Sequence, residues 1–219
     1  KAAEFSTLRA DCVEWRIDCF EGAKDLPAIV HCAAKLRVAL KDKLLLFTFR
    51  TKAEGGKVAL AHEEYLHFIR TVLATDCADL IDIEFFTAGA ELPALIEEAR
   101  TAGAAVVCSS HDFHKTPPRA ELVSRMVAMQ RAGADLPKLA VMPQSRTDVL
   151  ELLAATAEMA DRHPETPIIT MSMGALGAVS RLSGEALGSA MTFANPGQAS
   201  APGQVSLNIV NEVLDALHL

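Results

Sequence analysis

The sequence predicts a parallel α/β protein of the (β/α) barrel type, and three observations carry that prediction. Short apolar runs alternate with longer amphipathic stretches, no hairpin turn joins two of the runs, and seven such units follow one another. A strand followed by a helix, repeated in this way, implies parallel strands joined by crossover helices. Seven units favour a barrel over an open sheet, and no Gly-x-Gly-x-x-Gly motif follows any run to indicate a dinucleotide-binding half.

The sequence pattern that indicates a strand differs among the predicted strands. The first and third runs alternate charged with apolar residues, as in Glu14–Asp18 and Ile81–Glu84. The second and fourth are continuously apolar, as in Leu44–Phe47 and Val106–Cys108, and the fifth follows the turn-forming segment Gly133–Pro137. In chain order the predicted strands are Cys12–Asp18, Lys43–Thr48, Leu80–Glu84, Ala104–Ser110, Lys138–Met142, Pro167–Met171 and Ala190–Phe193. The helical patterns between them include His62–Thr75, Glu91–Gly103, Arg119–Ala132 and Thr147–Arg162.

Composition narrows the function. The chain has 219 residues, 50% of them hydrophobic, and neither a linker nor a low-complexity tract, so one barrel domain is predicted over residues 1–219. A net charge of -7 argues against a general nucleic-acid binder. Five scattered cysteines without a Cys-x-x-Cys pair indicate a reducing compartment and argue against structural zinc. No run is long enough for a membrane span and none resembles a signal peptide, so we expect a cytoplasmic protein with neither membrane nor nucleic-acid partners.

Charged residues recur at the ends of the predicted strands, where a barrel serving only packing would place Val and Ile. Glu14 and Arg16 share one face of the first run, Arg50 and Glu54 follow the second, and His111 follows the fourth. In (β/α) barrels the carboxyl ends of the strands and the loops after them carry the chemistry. The sequence therefore predicts a polar pocket at one mouth of the barrel.

Lys138 heads an apolar run, which is an expensive place for an ammonium group. One interpretation is a lysine whose stem packs while its charge reaches water. The other is an amine that attacks a carbonyl group and forms a Schiff base.

Other candidates also have two interpretations. His111 is either a general acid/base or a loop or capping residue. Arg16, Arg50 and Arg181 are either separate surface ion pairs or together a site for an anion, since guanidinium binds carboxylate with two parallel hydrogen bonds. The Gly-, Pro- and Ser-rich segment 194–204 is either a connector or a lid that closes over the site.

Six motifs, in order through nearly the whole chain, closely resemble those of type I 3-dehydroquinate dehydratase. They are Glu14-Trp-Arg-x-Asp18, Phe49-Arg50 with Glu54-Gly-Gly56, Ser110-His-Asp-Phe113 with Thr116-Pro117, Pro137-Lys-Leu-Ala-Val-Met-Pro143, Met173-Gly174 with Ser180-Arg181, and Ser200-Ala-Pro-Gly-Gln204. The resemblance implies a TIM barrel that dehydrates 3-dehydroquinate to 3-dehydroshikimate in the shikimate pathway, as a homodimer without metal or organic cofactor. Family members carry a further strand before the first helix. The resemblance thus implies a barrel whose first strand is absent from this chain.

The resemblance also implies a role for each matching residue. Lys138 is similar to the Schiff-base lysine, His111 to the general acid/base, and Glu54 to the residue that assists His111. Arg181 matches the arginine that binds the substrate carboxylate. The remaining matches hold the substrate's hydroxyl and carboxylate groups, and they are Glu14, Arg16, Arg50 and, from the lid, Ser200 and Gln204.

Two other functions remain open from the residues. A class I aldolase or transaldolase also needs a barrel lysine, together with a phosphate site. A barrel that binds a small acid without catalysis would need no covalent bond to Lys138.

Overall fold

The computed structural model describes residues 2–197 and 203–217. The chain divides into two compact units, Lys1–Cys108 and Ser109–Leu219. The prediction of a single barrel domain over residues 1–219 stays a prediction.

The first unit contains three complete strands that pair in parallel in the order of the chain. The strands are β1 (Cys12–Arg16), β2 (Leu44–Thr48) and β3 (Leu80–Glu84). The helices are α1 (Ala2–Phe5), α2 (Leu26–Leu40), α3 (His62–Leu73), α4 (Phe85–Ala88) and α5 (Leu92–Thr101). Short 3₁₀ turns lie at Ile17–Cys19, Lys52–Glu54 and Gly89–Glu91.

Burial explains the composition of these elements. All five residues of β3 are buried, as are the last four of β2, because a parallel strand is covered on both faces. Helix α3 buries one stripe, Tyr65, Leu66, Phe68, Ile69, Val72 and Leu73, at helical spacing. The core of the unit lies between these strands and the apolar stripes of its helices.

The second unit repeats the strand–helix alternation. Strand β4 (Ala105–Asp112) begins in the first unit and ends in the second. It is followed by α6 (Arg119–Arg131), β5 (Leu136–Val141), α7 (Arg146–Arg162), β6 (Ile169–Ser172), α8 (Ala178–Leu182), a 3₁₀ turn (Glu185–Leu187) and α9 (Leu207–Leu217). Strands β5 and β6 pair in parallel, with Lys138 opposite Ile169. Buried residues of α6, α7 and these strands form the core.

The predicted fold class is confirmed: the strands pair in parallel and alternate with helices, as in a (β/α) barrel. The four predicted helices begin and end within two residues of their observed bounds. Six of the seven predicted strands are present in the described residues. No helix within residues 2–197 and 203–217 is both long enough and apolar enough to span a membrane.

The prediction of a strand at Ala190–Phe193 is wrong. An isolated parallel bridge joins Ile168 to Ser189, just before the segment, and the N–H of Ala190 donates to the carbonyl of Ile168 at 2.8 Å. The N–H of Thr170 donates instead to the side-chain oxygen of Ser189 at 3.1 Å. A serine hydroxyl thus takes a bond that a backbone carbonyl would accept in a regular ladder.

Candidate active site

Polar side chains of the first unit lie at the carboxyl ends of its three strands. The parallel register sets Arg16 opposite Thr48 and Thr48 opposite Asp82, so each of the three strands of this unit carries a polar residue at the same level. The hydroxyl of Thr48 donates to Oε1 of Glu14 at 2.9 Å. The predicted clustering of charge at the strand ends is therefore present within this unit.

Arg16 and Asp18 form an ion pair with two parallel hydrogen bonds, of 2.8 and 2.9 Å. The carboxylate of Asp18 also accepts from the backbone N–H groups of Lys57 and Arg50, at 3.2 and 3.4 Å. Burial by itself raises the pKa of Asp18. Arg16 and these N–H groups lower it by more than burial raises it, so the resulting pKa lies below the usual value. The predicted strand Cys12–Asp18 ran through Asp18, but β1 ends at Arg16 and Asp18 belongs to the 3₁₀ turn that follows it.

Arg50 lies two residues beyond β2 and is buried among three carboxylates. Its Nη2 lies 2.7 Å from Oδ2 of Asp82, and its Nη1 lies 2.9 Å from Oε1 of Glu84. The same Nη1 is 3.5 Å from Oε2 of Glu54. Burial alone would lower the pKa of Arg50, but the three carboxylates together raise it well above its usual value. The guanidinium is thus strongly held in its charged form.

Glu54 is the last residue of the 3₁₀ turn that follows Thr51. The carbonyl of Thr51 accepts from the N–H of Glu54 at 3.1 Å and from that of Gly56 at 2.8 Å. A side chain at Gly56 would overlap the carbonyl oxygen of Arg50, so only glycine lets the loop fold back this closely. The loop geometry therefore explains the glycine at position 56.

Lys138 is the third residue of β5, whose first residues precede the predicted start at Lys138. Pro137 occupies the second position, which a strand tolerates near its beginning. Lys138 is only 4% exposed, and its Nζ lies 4.4 Å from the centre of the Phe193 ring. This burial argues against a lysine whose ammonium reaches bulk water, and it places the amine over an aromatic face.

His111 is the seventh residue of the eight in β4 and is half-buried. Its ring stacks near Phe113, with ring centres 6.5 Å apart and planes inclined by 22°. The carboxylate of Asp112 then accepts from the N–H groups of His114 and Lys115, at 2.9 and 3.0 Å, and so shapes the turn after the strand. His111 is therefore at a strand end, as predicted.

Arg181 lies on α8 and is 2% exposed, one of the largest fully buried side chains in the described residues. Its Nη1 lies 3.4 Å from Sδ of Met171 on β6. Burial lowers the pKa of Arg181, the opposite of the shift at Arg16 and Arg50. The residue also lines a cavity of about 380 Å³ together with Ser189–Thr192 and Leu214 of α9.

The predicted lid residues are only partly described. Ser200 lies outside the described residues. Gln204 is half-buried, and its carbonyl accepts from Nδ2 of Asn195 at 3.3 Å. At Gly203, whose φ is +73°, a side chain would overlap the carbonyl of Gly174 after β6.

Of the predicted site residues, the structure brings Glu14, Arg16, Arg50 and Glu54 to the strand ends of the first unit and places His111, Lys138, Arg181 and Gln204 in the second. Sequence reasoning assigned no role to Asp82 and Glu84, which contact Arg50 directly. The sequence feature that could have indicated them is the pair of acids two residues apart in an otherwise apolar strand.

In the part of the chain that the structure describes, no three His, Cys, Asp or Glu side chains are arranged to hold a metal ion.

Comparisons with known proteins place these residues in a family context. The family model for type I 3-dehydroquinase matches residues 1–219. A 3-dehydroquinate dehydratase of Klebsiella pneumoniae is 49% identical over 208 residues, which cover 95% of this chain and 83% of that protein. The enzyme of the same description from Bacillus subtilis is 47% identical over 218 residues, 100% of this chain and 86% of the relative.

Solved structures agree with this likeness. A crystal structure of type I 3-dehydroquinate dehydratase from Clostridium difficile, described with covalently modified comenic acid, superposes with a TM-score of 0.95 at 43% identity. That match covers 99% of this chain and 85% of the other. A 3-dehydroquinate dehydratase from Enterococcus faecalis gives a TM-score of 0.93 at 39% identity, over 100% of this chain and 87% of that one.

Proposed function

This chain belongs to the type I 3-dehydroquinase family, and from that premise we propose how its residues dehydrate 3-dehydroquinate to 3-dehydroshikimate. The overall reaction is a hydro-lyase step of the shikimate pathway. The single observation that carries the residue-level proposal is the buried amine of Lys138 on β5. A strand interior is an unfavourable place for a lysine that serves packing alone.

Lys138 provides the nucleophile. Its unprotonated Nζ attacks the C3 ketone of the substrate, and the resulting carbinolamine loses water to give a protonated imine. The cationic imine draws electrons from the adjacent C2–H bond, so that removal of the C2 proton yields a neutral enamine. The covalently modified acid described in the Clostridium difficile relative supports a nucleophilic side chain in such a site.

His111 moves the proton. The neutral imidazole takes the proton from C2, and the imidazolium then returns it to the C1 hydroxyl as the C–O bond breaks and water leaves. Hydrolysis of the imine releases the product and restores the amine. Glu54 takes part in the same proton transfers, a role that the family pattern assigns to it. Proton transfer of this kind contributes about 10²–10⁴-fold to the rate.

Arg181 binds the substrate carboxylate. Burial lowers the pKa of Arg181, and a bound anion would offset that loss of solvation. Glu14, Arg16 and Arg50, together with Ser200 and Gln204, hold the remaining hydroxyl and carboxylate oxygens. Membership of the family also supports a homodimer in the cytoplasm, and light scattering on the purified protein at two concentrations tests the dimer.

Borohydride trapping tests the role of Lys138. Borohydride reduces a substrate imine to a stable secondary amine, so protein treated with 3-dehydroquinate should gain the mass of the reduced adduct on the peptide that contains Lys138. Lys138→Met removes the amine and keeps an unbranched apolar side chain. We expect this variant to lose both the adduct and turnover. Turnover is measured from the ultraviolet absorbance of the conjugated product. Lys115→Met, at an exposed position, is the matched control and should retain both. Near-normal turnover in Lys138→Met would exclude the imine mechanism.

A further inference from the structure

The carboxylate of Glu84, the last residue of β3, is fully buried and receives four hydrogen bonds. Its Oε1 accepts from Nη1 of Arg50 at 2.9 Å and from the N–H of Thr51 at 2.8 Å. Its Oε2 accepts from the hydroxyls of Thr51 and Thr87 at 2.7 and 2.6 Å. The backbone N–H of Glu84 donates to the buried hydroxyl of Tyr65 at 2.8 Å, which ties the residue to α3. Glu84 is therefore fixed from several sides.

Two of these partners lead to Glu54. The first is Thr51, which Glu84 holds through both its N–H and its hydroxyl, and whose carbonyl accepts the N–H of Glu54. The second is Nη1 of Arg50, which lies between Oε1 of Glu84 and Oε2 of Glu54, at 2.9 and 3.5 Å. Glu84 thus fixes Thr51, at the start of the turn that carries Glu54. It also fixes the guanidinium of Arg50, which faces the carboxylate of Glu54.

Ion pairing with Arg50 alone does not explain this arrangement. Asp82 already pairs with the guanidinium at 2.7 Å and is fully buried, so Glu84 is a second buried carboxylate in contact with the same cation. Buried charges beyond those needed for pairing are costly, which makes them weak evidence for a purely stabilising role. The donors around Glu84 offset that cost, and three of the four come from Arg50 and Thr51, next to the Glu54 turn.

We infer that Glu84 is a positioning residue for catalysis, which sets the location of the Glu54 carboxylate through Thr51 and Arg50. The inference rests on the proposed participation of Glu54 in proton transfer. Glu84 itself touches neither the substrate nor the reacting atoms in this assignment.

A double-mutant cycle tests the inference. Glu84→Gln keeps the shape of the side chain but removes its charge and one of its acceptors. We expect kcat to fall about tenfold with KM changed less than about twofold, while borohydride still traps the adduct on Lys138. If Glu84 acts through Glu54, the double variant Glu54→Gln/Glu84→Gln should be no more than about twofold slower than Glu54→Gln alone. Glu98→Gln, which removes the exposed partner of Arg70, is the matched control and should leave kcat unchanged.

The possible outcomes distinguish a failure of the positioning role of Glu84 from a failure of the proposed function. Losses that multiply in the double variant, an unchanged kcat in Glu84→Gln, or loss of the adduct together with turnover would overturn the positioning role while leaving the proposed function intact. A normal kcat in Glu54→Gln would instead remove Glu54 from the proton transfers, and the inference with it. If Glu84→Gln does not fold, Thr51→Val replaces it in the cycle, because it deletes one hydroxyl donor to Glu84 and leaves the charges in place. The same non-additivity with Glu54→Gln is then expected, and additive losses would again overturn the positioning role.

Discussion

Replacing Arg50 by Met should destabilise the protein far more than the same change at a surface arginine. Arg50 is 4% exposed and lies within 2.9 Å of two carboxylates, those of Asp82 and Glu84, that are fully buried. Met fills much of the same volume but removes the guanidinium that contacts both acids. Removing one partner of a buried ion pair lowers the free energy of unfolding by about 3–5 kcal/mol. That is a large fraction of the roughly 5–15 kcal/mol that a folded domain has in total.

Arg70→Met is the matched control. Arg70 pairs with Glu98 at 2.9 Å, but both side chains are about 40% exposed, and exposed pairs of this kind contribute little to stability because water screens them. Urea denaturation gives the free energy of unfolding for each variant. The single tryptophan, Trp15 on β1, packs edge-on against Phe47 of β2 and reports on this unit by fluorescence.

A neutral variant separates charge from packing. In Arg50→Met/Asp82→Asn/Glu84→Gln the two carboxylates that Arg50 contacts are also neutralised, so we expect it to recover part of the stability lost in Arg50→Met. An Arg50→Met variant no less stable than Arg70→Met would refute the view that these carboxylates depend on Arg50. A neutral variant less stable than Arg50→Met would indicate that packing, not charge, causes the loss.

The pH dependence of stability and the binding of substrate give two further predictions. The folded pKa of Asp18 lies below its usual value near 3.8, so its ionised form stabilises the fold above that pH and this contribution is lost as the pH falls through the folded pKa. Asp18→Asn should therefore be less stable than the parent at pH 7, and the difference should shrink below about pH 4 in urea titrations; a difference independent of pH would contradict the assignment. Arg181→Gln should raise KM for 3-dehydroquinate about 10- to 100-fold, which corresponds to the loss of a charge-assisted hydrogen bond. The control Arg146→Gln, at an exposed position, should leave KM unchanged. An unchanged KM in Arg181→Gln would exclude Arg181 as the carboxylate ligand.

The strands that the sequence predicted correctly are those whose signal is local. A buried parallel strand is largely apolar, and Leu44–Thr48 shows that pattern whatever it packs against. Leu80–Glu84 is indicated by the strict alternation of its apolar residues with the two acids. Ala190–Phe193 has the composition of a strand but not the pairing, because the side chain of Ser189 takes the N–H of Thr170. That interaction joins residues 19 apart in the sequence, and no local pattern indicates it.

The site was predictable in kind but not in its contacts. Acids at Asp82 and Glu84 in an apolar strand predicted a polar strand end, and that prediction is confirmed. Their common partner, Arg50, depends on the parallel register between β2 and β3, which the sequence does not specify. The position of Lys138 shows the same limit. The turn-forming residues up to Pro137 predicted a strand beginning at the lysine, whereas the observed β5 begins at Leu136, so that Lys138 lies within the strand and is the first residue paired with β6.

The three arginines that the sequence grouped as one anion site differ in the charges around them. Arg16 already has both oxygens of Asp18, and Arg50 has Asp82, Glu84 and Glu54, so in each case carboxylates raise the pKa despite burial. At Arg181, burial lowers the pKa. A substrate carboxylate near Arg16 or Arg50 would face acids of the protein as well as the guanidinium, and repulsion between like charges would reduce its binding. At Arg181 the anion would restore part of the solvation that burial removes. This difference supports the proposed assignment of the substrate carboxylate to Arg181, with the hydroxyl groups left mainly to Arg16 and Arg50.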